Sequence, residues 1–143
     1  MQRQPGDDTP GWGAVLAHRP ADQRGVVGAR FQASGVACEQ VRAVLEDGGD
    51  ALHAAATSGR HDWAQRFGGP LAVALLAAEV SALAAHVNSR SSAVRALAVD
   101  GLLEDVSAVT VAARLGVSRQ KVYDIIRGSR NGSHIDRVPW RRP

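Results

Sequence analysis

Between Pro70 and Val87 the chain reads PLAVALLAAEVSALAAHV, a run whose only helix-breaking residue is the proline at its start. Proline is tolerated in the first turn of a helix, so the run predicts one helix beginning at Pro70. Val73, Leu76, Val80, Leu83 and Val87 step by three and four along it. Leu71, Leu75, Ala78, Ala82 and Ala85 form a second apolar face. A helix apolar on two sides has to be covered on two sides. One cover is available upstream, in the stripe that includes Phe31 and Leu45. The other is expected to be a second copy of the chain, with Val73, Leu76, Val80, Leu83 and Val87 as the dimer interface. A membrane span is the competing use of such a run. Glu79 and His86 lie inside it and much of its apolar content is alanine, so no membrane association is expected.

The segments on either side set the fold class. Asn88-Ser89-Arg90-Ser91-Ser92 reads as an interruption with a fresh helix cap, followed by a further helix over AVRALAVDGLLEDV. The heptad register passes through Val94 and Leu97, so a single helix running through the serines is the alternative. Upstream, Phe31, Ser34, Cys38, Val41 and Leu45 fall on one stripe of an amphipathic helix that stops at Asp47-Gly48-Gly49. Asp50 is placed to cap the next helix, ALHAAATS. Residues 1–25 mix proline, glycine and charge without a sustained period and read as a flexible arm, with Trp12, Val15 and Leu16 as side chains that could dock on the rest. The expected architecture is all-α. It comprises an arm (1–25), a helical dimerisation region (26–90), a C-terminal helical unit (91–128) and a basic arm or minimal wing (129–143).

Charge is distributed unevenly. Lys121 is the only lysine, and this near-exclusive use of arginine is itself a sign of coding bias, so placement carries more information than totals. Residues 106–143 hold eight cations against Asp124 and Asp136, a net +6. Residues 1–105 hold nine arginines against twelve acids, a net −3. A positive field confined to one end is the pattern expected of a chain whose end faces nucleic acid.

Inside that basic end lies AARLGVSRQKVYDIIRG, residues 112–128. In the twenty residues from Ala108 to Arg127, Ala112 is fifth, Gly116 ninth, Val122 fifteenth and Ile125 eighteenth. This spacing resembles the helix-turn-helix family of DNA-binding proteins, which places a small residue, a glycine and two branched aliphatic residues at those positions. The small residue allows two helices to cross closely, and the glycine permits a positive φ in the sharp turn. Ser118 sits where a cap would start the second helix.

The resemblance implies that this second helix enters the major groove. Arg119, Gln120 and Lys121 would then meet base edges, arginine pairing with guanine and glutamine with adenine. Thr110, Ser118, Tyr123, Arg127, Arg130, Arg141 and Arg142 would contact phosphates. Asp124 would oppose phosphate unless it accepts from a cytosine amino group or pairs with an arginine, and the ion pair is the favoured reading. In the tail, Asn131-Gly132 is a hairpin signal, yet almost no sequence precedes it for a first strand, so an extended basic arm is favoured over a wing.

Other chemistry finds little support. His18, His53, His61, His86 and His134 are scattered, and no pair shares a helical face with Cys38 or a carboxylate at ligand spacing, so no metal site is expected. Cys38 lies on an apolar stripe and reads as core. No phosphate-cradling loop or nucleophile set occurs, and neither a cofactor nor an enzymatic activity is expected. A single cysteine and an N-terminal sequence without an apolar core point to the cytoplasm, on the nucleoid.

The expected function is sequence-specific binding of double-stranded DNA by a homodimer on a palindromic site, as in a bacterial transcriptional regulator. Two alternatives stand beside it. One is a DNA-organising or mobile-element accessory protein of low sequence specificity. The other is a protein-interaction adaptor or antitoxin-like partner whose motif is vestigial. Residues 29–70 could enclose an effector pocket, but no residue pattern names an effector.

Overall fold

The structure, a computed structural model, describes residues 11–128. It is all-helical there, with α1 (Trp12–Val15), α2 (Ala21–Ala33), α3 (Cys38–Glu46), α4 (Asp50–Ala56), α5 (Pro70–Leu102), α6 (Ala108–Leu115) and α7 (Arg119–Gly128). A 3-10 turn covers Gln65–Phe67. The chain divides into two compact units, one ending at Ala85 and one beginning at His86. The proposed arm or wing, with Arg130, Arg141 and Arg142, lies outside the described residues.

The first unit has a core of Val15, Leu16, Val27, Phe31, Val36, Val41, Val44, Leu45, Leu52, Phe67, Ala72, Leu76 and Leu83. Two expectations are corrected here. Residues 11–25, read as part of a flexible arm, are folded: Val15 and Leu16 are fully buried. Trp12 stacks on Phe31 with ring centroids 5.8 Å apart. Gly28 permits that stack, because a side chain there would press on the indole at 3.2 Å. The backbone of the linker between α1 and α2 is gathered by Arg24, whose guanidinium donates to the carbonyls of Leu16, Ala17 and Arg19 at 3.0–3.2 Å. A proline-punctuated sequence conceals such an anchor, since Arg24 closes backbone groups that no periodicity reports.

The second correction concerns the stripe from Phe31 to Leu45, which belongs to two helices. Gly35, at φ +73°, ends α2, and α3 starts after Ala37, whose N–H donates to the Gln40 side chain at 2.7 Å. Both helices turn the stripe inward, so its spacing survives the break. The cap of α4 also differs from expectation. Asp50 is the first helical residue, and Asp47 accepts from the N–H groups of Gly49 and Ala51 at 2.8 and 3.1 Å.

The break expected at Asn88–Ser92 is absent, and α5 runs unbroken for 33 residues. Serine and asparagine cost a helix only about 0.5 kcal/mol each, less than tertiary burial on either side returns. No proline or glycine intervenes until Gly101. The second unit contains the end of α5 with α6 and α7, closed around Ala96, Val99, Val111, Ala112, Val122 and Ile125.

Candidate nucleic-acid interface

The α6–α7 pair is built from its caps. Ser107 accepts from the Thr110 N–H at 3.2 Å and starts α6. Gly116, at φ +70°, ends it. The Val117 N–H then returns to the Ala112 carbonyl at 3.0 Å, and Ser118 starts α7 by accepting from the Lys121 N–H at 3.0 Å. Ala112 is buried where the helices meet, and Val122 and Ile125 hold α7 against Val111 and Val99. Burial of Val122 and Ile125 turns the rest of α7 outward: Arg119, Gln120, Lys121, Tyr123, Asp124 and Arg127 are all exposed, as is Arg114 on α6.

These outward side chains are organised among themselves. Arg119 lies over the Tyr123 ring, 5.9 Å from its centroid. Asp124 forms an ion pair with Arg127 and accepts from Gln120 at 3.2 Å. Those hydrogen bonds, Arg127 first and Gln120 second, hold the Asp124 carboxyl below the ordinary aspartate range. The ion-pair reading of Asp124 thus describes the free protein, with Gln120 and Arg127 both engaged by it. Among the described residues Arg119 and Lys121 form no ion pair, although Asp124 lies close enough to Lys121 for the two charges to act on each other. Thr110 shares a hydroxyl contact of 2.9 Å with Ser107 and is part of the α6 cap.

The residues assigned to a dimer interface do not form one surface. Leu76 and Leu83 are buried within the first unit's own core, at 1% and 5% exposure. Val73 and Val80 are partly buried against that core, and only Val87 is exposed. The inward face keeps Leu76 and Leu83 of the expected interface and has Ala72 and Glu79 in place of Val73 and Val80. α5 turns Ala72, Leu76, Glu79 and Leu83 inward, and a face of small and long side chains mixed in this way cannot be phased from hydrophobicity alone.

Glu79 explains the phase. Its side chain is 2% exposed, with Oε1 2.5 Å from His18 Nε2 and both oxygens accepting from Arg19 at 3.0 and 2.9 Å. Burial acts most strongly on its pKa and pushes it up. The bonds and charges of His18 and Arg19 together outweigh this and hold the carboxyl below its ordinary value. Sequence reading found neither partner, because they sit 60 residues away in a segment read as an arm. In the same unit Gly48, Gly49, Leu52, His53, Ala56, Trp63, Val73, Ala77 and Val80 line an open apolar cavity of about 300 Å³. Burial raises the Cys38 thiol pKa, with Glu39 adding to the effect, in keeping with a packing role.

Length and composition would allow α5 to cross a membrane, while its one carboxylate before Asp100 is spent on His18 and Arg19 inside the first unit. Comparison of the chain with protein-family models, curated proteins and solved structures returns no match.

Proposed function

We propose that the chain is a sequence-specific DNA-binding protein of the kind that regulates bacterial transcription, acting as two copies on a palindromic site, with α6–α7 as a helix-turn-helix and α7 in the major groove. One observation carries this reading. Ala112, Val122 and Ile125 pack α7 behind the Gly116 turn so that Arg119 and Lys121 in its first turn are exposed and in no ion pair among the described residues. A helix presenting cations from its N-terminal turn meets the groove with the residues that discriminate bases best, about 1–3 kcal/mol for a bidentate contact. Arg119 is the leading base reader. Gln120 joins it when Asp124 releases it, and Ser118, Tyr123 and, once released in the same way, Arg127 are read as phosphate contacts. Thr110 is retained as a phosphate contact through its N-terminal position on α6.

A second reading is favoured by a specific observation: Gln120 and Arg127 are both held by Asp124. If that set stays closed on DNA, base discrimination falls to Arg119 and Lys121, and the protein organises DNA with little sequence preference. Selection from a random duplex library followed by footprinting separates the two. A palindromic enriched motif that Arg119→Ala weakens by about tenfold or more is the expected result. Uniform binding of all duplexes supports the second reading, and no binding at all overturns both.

A further inference from the structure

In the second unit Arg90, Val94, Leu97 and Gly101 follow one another along one face of α5 at steps of four, three and four. Within the second unit the opposite side of α5 is the occupied one, since Ala96 and Val99 pack with Val111, Val122 and Ile125. That stripe is therefore left to solvent: Val94 is 67% and Leu97 71% exposed, and Val87 at its upper edge is 37% exposed. Adjacent large aliphatic side chains this open on one helical face form an apolar patch of the kind that marks interaction sites.

We propose that this face binds a second copy of the chain through antiparallel pairing of the two α5 helices, Val94 of each against Leu97 of the other. The proposal rests on the two-copy reading above and moves its interface from Val73, Leu76, Val80 and Leu83 to Val94 and Leu97. The charges choose the partner and its direction. Arg90 lies on the stripe at one end, and exposed Asp100 and Glu104 lie at the other, Glu104 in the turn that follows α5. With Val94 opposite Leu97, antiparallel geometry sets each Arg90 opposite Gly101, between Asp100 and Glu104 of the other copy. Gly101 leaves room for the arginine stem. Parallel pairing sets Arg90 on Arg90 and acid on acid, which is repulsive. Complementarity of the segment with its own reverse is the property a two-fold interface requires.

Sedimentation of the full chain over a wide concentration range tests this. A reversible dimer is expected. Leu97→Glu should raise its dissociation constant at least about tenfold with an unchanged circular-dichroism spectrum, because Leu97 contributes little to its own unit's core. Arg90→Glu should weaken the dimer, and adding Asp100→Arg and Glu104→Arg should restore it. In a Cys38→Ser background a short thiol cross-linker should join Leu97→Cys chains and fail at Val87→Cys, whose two copies would lie about 25 Å apart along the paired helices. A dimer untouched by Leu97→Glu overturns this face while leaving the two-copy reading in place. A monomer at every concentration overturns both, and ready cross-linking at Val87 overturns the antiparallel arrangement.

Discussion

Arg19 holds Glu79 with two nitrogens while His18 meets the same carboxylate from the core side, so a single acid ties the first two turns of the described chain to α5. Removing one member of a buried charged set costs more than removing the charge that needs partners. Arg19→Ala should therefore destabilise the protein by about 2–4 kcal/mol, and Glu79→Leu by less, in urea unfolding followed by circular dichroism. The pH dependence has a defined sign. The Glu79 carboxyl is depressed in the folded chain, so its contribution is fully present above the ordinary glutamate pKa of about 4.3 and is lost as pH falls below it. Wild type should lose stability over that acid range more steeply than Glu79→Leu does. Equal slopes for the two proteins would show that the triad contributes no linkage.

At the scale of elements, the turn between α6 and α7 depends on one backbone conformation. Gly116 sits at φ +70°, and a methyl group there would meet nothing within 4 Å. The cost of Gly116→Ala is thus conformational, about 1–2 kcal/mol, and Gly116→Asn should recover part of it because asparagine tolerates that region. Thermal unfolding of the three proteins gives the comparison, and equal midpoints would contradict it. This turn was legible because each of its demands falls on a residue type: a small side chain at 112, glycine at 116, a hydroxyl cap at 118, branched aliphatics at 122 and 125. The outward positions of Arg119, Gln120, Lys121, Tyr123 and Arg127 follow from that frame. Their engagement with one another does not, because Asp124 has several partners in reach and only geometry selects Arg127 and Gln120. Elsewhere legibility failed for physical reasons. The stripe from Phe31 to Leu45 kept helical spacing across a break because two helices share one core. The serines after Val87 looked like a cap because polar side chains on an exposed helix face have the same composition as a loop. The anchors of residues 11–25, Arg24 to three carbonyls and Arg19 to Glu79, are contacts that no local pattern contains.

Across the whole molecule the charge of residues 106–143 opposes that of residues 1–105, so any grip on DNA is concentrated at one end of each chain. Each phosphate neutralised contributes about −0.9 to the slope of log affinity against log salt. Two copies using Arg127, Arg130 and Arg141 on phosphates should give a slope of about −5 or steeper, measured by anisotropy titration of a labelled duplex. A flat salt dependence would exclude the basic end from the contact. The tryptophans are also unevenly placed. Trp12, stacked on Phe31, and Trp63, on the wall of the apolar cavity, both belong to the unit ending at Ala85. Among described residues from His86 onward, Tyr123 is the only Phe, Tyr or Trp. With Trp140 replaced by phenylalanine, indole emission becomes a private optical channel for the first unit, while a fluorotyrosine at 123 would listen to the second.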